Sequence, residues 1–317
     1  MTTPVGPARR VWYPTPTLAL RLAYASLVAN TVIVLTGGAV RLTGSGLGCP
    51  TWPRCTEQSF VPHGELGIHG AIEFGNRLLT YVLVAVAVAT WVTLWRLRPT
   101  RASLRHVATV LVLGIPLQAV IGGVTVLTDL NPWVVALHLL VSMGLISVSV
   151  LLVHRLRAGD RPTTPTLGPR LTWLVRATYV QVWVVLYLGT VVTGSGPHAG
   201  DLESPRNGLD PSAWSHVHAA AVYLLVALTV GCVLALRDAD APAGVLRAAW
   251  LLLGVELAQG VVGVVQYGTG LPAALVWLHL LGACLLVVAA TDLLLRTRVR
   301  GGVPDPPAAW VRDRAYG

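Results

Sequence analysis

Apolar residues run along this chain in long unbroken stretches, separated by short polar segments rich in Pro, Gly and Arg. Stretches long enough to cross a bilayer, about 20 residues each, lie at 18–40, 71–95, 105–128, 132–154, 171–193, 213–236, 246–267 and 271–295. The pattern predicts eight transmembrane α-helices. The first run is not a cleavable signal, because it is too long and is followed by Arg41 instead of a small-residue cleavage site.

The pattern also repeats. "TGSG" stands at 43–46 after the first run and at 193–196 after the fifth, and "LHLL" at 137–140 and 278–281. Gln118 precedes Gly122 by four residues, as Gln259 precedes Gly263, and the Gln pair and the His138/His279 pair share a separation of 141 residues. Four spans return a chain to its starting side, so both copies of a four-helix unit have the same orientation. The fold class expected is an all-α membrane protein of two pseudo-repeated four-helix bundles with both termini cytoplasmic. Its parts are a tail (1–17), a first bundle (18–157), a linker (158–170), a second bundle (171–295) and a second tail (296–317).

Composition agrees: of 317 residues 54% are hydrophobic and 12% charged, against about 25% charged in soluble domains, and the mean hydropathy is +0.66. The net charge of +9 is carried by arginine alone. Arg9, Arg10, Arg21, Arg96, Arg98, Arg101, Arg105, Arg155, Arg157, Arg161, Arg170, Arg237, Arg247, Arg296, Arg298, Arg300, Arg312 and Arg314 fall on one side. Only Arg41, Arg54 and Arg206 fall in or beside the opposite loops. By the positive-inside rule the first set is cytoplasmic and the chain a multi-pass cell-membrane protein. The basic balance reads as topology and affinity for lipid headgroups, which excludes nucleic acid as the partner.

That orientation puts "GLGCPTWPRC", with Cys49 and Cys55, on the outside, where a disulfide persists. Two readings stand for the pair: a loop staple, or thiols that take part in chemistry.

Ionisable side chains inside spans mark function by default. His138, His218 and His279 each lie six to eight residues from the outer end of a span, about 10 Å deep at 1.5 Å per residue. Three imidazoles at one depth, two of them repeat-equivalent, point to metal or haem ligation across helices. Matching "LLTYVLVAV" to "AAVYLLVAL" through Tyr81 and Tyr223 sets His218 opposite Asn76, and Ser215 opposite Glu73. One half then carries a His/His pair; the other carries His138, Asn76 and an intramembrane carboxylate with Arg77 beside it.

"TGSGLGCPTWPRC", "EFGNRLLT", "GGVTVLTDLNPWVVALHLL" and "TGSGPHAGD" resemble the haem A synthase family over residues 20–295, in an actinobacterial-like form. The resemblance implies an oxidoreductase that converts a methyl group of haem O to the formyl group of haem A by successive hydroxylations, for terminal oxidase assembly. It implies haem b in the second half, ligated by His218 and His279, and substrate haem O in the first, with His138 as an axial ligand and Glu73 as the catalytic carboxylate. It further implies an outer-loop disulfide between Cys49 and Cys55. Because the loop closed by that bond is short, its entropic stabilisation is modest, which favours a redox or site-shaping role. Many members carry a histidine where this chain has Asn76, so His138 is expected to be the sole strong ligand there and Asn76 a hydrogen-bond donor. His69, two turns away, is expected to reach Glu73 or a propionate.

Arg41 and His198 are candidate propionate contacts, and Gln118 and Gln259 interhelical hydrogen-bonders. Cys232 and Cys284 read as small buried residues, and Glu256 has no assigned partner. Expected partners are haem O, delivered by haem O synthase, an unidentified electron donor, and lipid; a homo-oligomer stays open. A quinol-linked cytochrome b is the alternative. A transporter ranks last because the repeats run parallel without broken helices.

Overall fold

The computed structural model describes residues 13–97, 102–158, 163–198, 200–201 and 203–300. Arg9, Arg10, Arg98, Arg101, Arg161, Arg312 and Arg314 of the charge argument lie outside them. The eight expected spans are all present: α1 Pro16–Leu42, α2 Gly67–Arg96, α3 Ala102–Leu127, α4 Pro132–Arg157, α5 Pro169–Ser195, α6 Pro211–Asp238, α7 Ala243–Gly268 and α8 Ala273–Arg296. Each is long and apolar enough to cross a membrane.

Local chemistry fixes the starts. Thr15, Asn131 and Asp210 each accept a backbone N–H of the first turn through the side chain, and each is followed by Pro at the first helical position. Proline there supplies a helical φ and has no N–H to leave unpaired. Within the helices the backbone groups pair along the chain, as hydrocarbon requires, except at Pro116 inside α3, which has no N–H to give.

Helices α1 to α4 pack as a ring of neighbours, α1 on α2, α2 on α3, α3 on α4 and α4 on α1, which leaves α2 and α4 diagonal. Helices α5 to α8 repeat the arrangement and leave α6 and α8 diagonal. The rings join through α4 on α8, α4 on α5 and α1 on α8. Met143 and Ile146 of α4 share one core with Leu286, Val287 and Ala290 of α8. Polar ties cross the same seam: Thr291 donates to Ser147 at 3.2 Å, and the Trp277 indole to the Leu35 carbonyl at 2.9 Å.

The repeat extends to a turn that the motifs did not reveal. Leu130 before α4 and Leu271 before α8 both stand at φ 60°. Their N–H groups reach back five residues, to Thr125 (2.8 Å) and Gln266 (2.7 Å). In the 158–170 linker, Thr163–Pro165 forms a short strand antiparallel to Arg298–Arg300, tying the connection between bundles to the end of α8.

The loop between α1 and α2 folds back over the first bundle. Trp52 lies against Gly123 of α3, where a Cβ would strike its ring. Cys49 and Cys55 are joined by a disulfide and fully buried, whereas Cys232 and Cys284 are free and buried. Alkylation of the denatured protein without reductant is therefore expected to label Cys232 and Cys284 only, with Cys49 and Cys55 added after reduction. Labelling of all of them before reduction contradicts the bridge.

Candidate functional site

The two diagonal helices of the second bundle carry the histidine pair. His218 lies seven residues into α6 from Pro211, and His279 six residues into α8 from Ala273. Each ring is laid on a glycine of the preceding helix. A Cβ on Gly189 of α5 would stand 3.3 Å from His218 Cε1, and one on Gly263 of α7 would stand 3.6 Å from His279 Cε1. The Gln259 carboxamide donates to the His279 carbonyl at 3.2 Å and fills the space left by Gly282.

The first bundle repeats this on α4. His138 lies six residues after Pro132, and a Cβ on Gly122 of α3 would be 3.2 Å from its Cε1. Gln118 donates to the His138 carbonyl at 3.1 Å and to Ser142 Oγ at 2.5 Å. Both glutamines thus bond across helices to the backbone of repeat-equivalent histidines. On α2 the fourth seat holds Asn76: a Cβ on Gly37 of α1 would be 4.0 Å from its Nδ2, and Thr36 of α1 donates to its Oδ1 at 2.7 Å.

These residues fit a haem. In all three histidines Nδ1 is buried, and the His218 ring lies within reach of the Val185 backbone on α5. Nε2 is not shut away in this manner and makes no hydrogen bond among the described residues. The free ring edge of each histidine is therefore Nε2, the atom through which an imidazole could hold an iron. In the second bundle the two histidines stand on diagonal helices, from which side chains can reach a shared haem from opposite sides. A tetrahedral cage does not fit, since no group of three or more His, Cys, Asp or Glu converges among the described residues.

Glu73 faces the disulfide loop. It is buried, with Oε2 accepting the Cys49 N–H at 2.5 Å and Oε1 paired with Arg77 at 2.5 Å. Arg77 also donates to the carbonyls of Cys49 (3.0 Å), Thr51 (3.1 Å) and Arg54 (3.1 Å). The pair therefore clamps the loop to α2. Removing one partner of a fully buried pair costs about 3–5 kcal/mol, and less here because the Arg77 side chain is 21% exposed. Asn76, three residues on, has none of these partners.

The other expected contacts differ in detail. His69 does not bond Glu73; its Nδ1 lies 2.9 Å from Ser45 Oγ, because its ring turns towards the start of the loop. Arg41 crosses to the second half, where Nε donates to the His198 carbonyl at 2.5 Å and Nη2 to the Thr193 carbonyl at 3.3 Å. His198 in turn uses Nε2 against the Leu271 carbonyl at 2.7 Å. Arg41, His69 and His198 line one cavity of about 700 Å³ between the loop after α1 and the loop after α5. Glu256, unassigned from sequence, accepts from Thr229 at 2.7 Å. Thr36, Gly37 and Gly189 were not singled out in the sequence. The available signal was a Thr or Gly interrupting an apolar run, too common in spans to be decisive.

Residues 20–291 match the cytochrome oxidase assembly protein family. The chain is also similar to proteins named haem A synthase. It is 26% identical over 222 residues to that of Bacillus licheniformis, covering 65% of this chain and 71% of the relative. It is 28% identical over 182 residues to that of Bacillus pumilus (55% and 58%), and 30% over 180 residues to that of Lysinibacillus sphaericus (54% and 56%). With the latter two the match spans a little over half of either chain. With its eight helices in two repeated rings, and a match over nearly all of them, the chain belongs to the cytochrome oxidase assembly protein family.

Proposed function

We propose that this chain is a haem A synthase, an oxidoreductase that turns a methyl group of haem O into the formyl group of haem A by successive hydroxylations. Four equivalent seats on the diagonal helices carry the reading: three hold an imidazole on a glycine with its Nε2 free, and the fourth holds Asn76. Relatives named haem A synthase support the activity. The chain is a multi-pass plasma-membrane protein whose family implies a haem cofactor and a haem-related substrate.

His218 and His279 hold haem b in the second half. His138 holds substrate haem O in the first half, near Glu73 and Asn76. Both termini are cytoplasmic, which puts the clamp loop outside. When bound, haem b supplies one-electron transfer to and from the substrate side. The chain's own residues orient and enclose. The glycine seats fix the ring positions, α4 against α8 brings the histidine helices of the two halves together, and the disulfide loop covers the first bundle. Arg41 and His198 hold the halves together, Arg41 through the His198 and Thr193 carbonyls and His198 through the Leu271 carbonyl. Glu73, the one carboxylate on α2, would be the group that holds or passes a proton in this half once its contacts with Arg77 and the Cys49 N–H are released. Haem O arrives from haem O synthase, and electrons come from a separate donor.

The alternative, a cytochrome b that only carries electrons, accounts for His218 and His279 but leaves the first half without a task. Haem extracted from the purified protein and separated by chromatography is expected to contain haem O or A beside haem B. His218→Ala or His279→Ala is expected to lose haem B and its low-spin spectrum. Haem B alone in the unaltered protein favours the carrier, and an unchanged spectrum in both variants overturns the ligand assignment.

Glu73 has two tasks in this account, clamp and catalyst, and two variants separate them. Arg77→Gln removes the clamp's charge and its bonds to the loop carbonyls but keeps the carboxylate, whereas Glu73→Gln removes the carboxylate at nearly constant size. Haem A formed per bound haem is expected to fall at least tenfold further in Glu73→Gln than in Arg77→Gln, with haem content retained in both. Equal losses reduce Glu73 to a clamp.

A further inference from the structure

The fourth seat differs from the other three in its chemistry and not in its placement. Asn76 faces Gly37 as His138 faces Gly122, His218 faces Gly189 and His279 faces Gly263. An amide is a poor iron ligand beside imidazole, so a haem held by His138 has no second strong ligand from this position.

The amide is held in one pose. Thr36 Oγ1 lies 2.7 Å from Asn76 Oδ1, and 3.1 and 3.2 Å from the carbonyls of Val32 and Ile33. A hydroxyl has one proton, and the shortest contact takes it. The Asn76 carbonyl oxygen is thereby committed to α1, and Nδ2 is the end left over. Nδ2 makes no hydrogen bond among the described residues and is not among the buried atoms left unpartnered. It is a half-buried N–H donor without a partner among the described residues, on the helix diagonal to that of His138.

We propose that the first half is a binding site for a small exogenous ligand at the open iron face opposite His138, and that Asn76 Nδ2, oriented by Thr36, donates a hydrogen bond to that ligand. The second half, closed by His218 and His279, has no such face. The ligand class is a neutral diatomic or similarly small molecule able to accept one hydrogen bond. This rests on the haem assignment of the preceding section. It adds that Thr36 is a positioning residue and that the two halves differ in reactivity towards added ligands. Donors on the open side of a haem are what decide whether and how such molecules bind.

Carbon monoxide is the probe. The full-length protein, loaded with haem O and reduced with dithionite, is expected to bind CO at one haem per chain, and His138→Ala is expected to lose that signal. A donor on the CO oxygen lowers the C–O stretching frequency. Thr36→Val, which frees the amide to turn, and Asn76→Leu, which removes it, are therefore both expected to raise the frequency while CO stays bound. Asn76→His is expected to close the face and abolish CO binding. A protein that holds haem O but binds no CO overturns the open face. A frequency unmoved in both Thr36→Val and Asn76→Leu, or lowered by them, overturns the donor, since a lowered value means the carbonyl oxygen faced the iron. If haem O does not load, or loads equally in His138→Ala, the haem assignment itself falls and this inference with it.

Discussion

A glycine opposite each inward polar side chain sets how closely the helices of this protein approach. At Gly122 and Gly189 a Cβ would come within 3.2–3.3 Å of an imidazole carbon, tighter than an ordinary contact, and at Gly263 it would touch the ring at 3.6 Å. Small residues at helix interfaces are the usual means of close approach in membranes, where no hydrophobic force drives helices together. Here the same device orients a ring. A buried Nδ1 edge and a supported Cε1 leave Nε2 as the working edge, and the neighbouring Gln118 or Gln259 holds the histidine backbone at a fixed height.

Duplication explains why the seats come in equivalent pairs, and divergence explains the division of labour. The two rings share the Gln–His link, the glycine seats and the left-handed Leu130 and Leu271 turns. They differ at Asn76 against His218, and in the disulfide loop that only the first half carries. That loop is held from below by Glu73 and Arg77, so the bridge, the carboxylate and the first-half site form one connected unit. The Cys49 N–H is the hydrogen bond that joins the bridge to the Glu73 carboxylate.

The eight spans were readable because bilayer thickness imposes a length that few other structures need. The repeat was readable because Gln118/Gln259 and His138/His279 kept a common separation. The Glu73–Arg77 pairing followed from its four-residue spacing on a helix. What escaped reading are contacts to backbone groups, which carry no residue signature. Such are Glu73 on the Cys49 N–H, Arg41 on the His198 and Thr193 carbonyls, and Arg77 on three loop carbonyls. Arg41 illustrates the limit, for its charge pointed to an anion, while the folded chain commits it to carbonyls across the seam. The glycine seats were hidden among 32 glycines, most of which serve turns or packing unrelated to a ring.

The central claim is that two equivalent sites have become one closed and one open. Electron paramagnetic resonance of the oxidised protein carrying both haems tests it most directly. The account predicts one low-spin signal of bis-imidazole type, lost in His218→Ala, together with one high-spin signal that depends on His138. Two low-spin bis-imidazole signals, or a high-spin signal that survives His138→Ala, would contradict it.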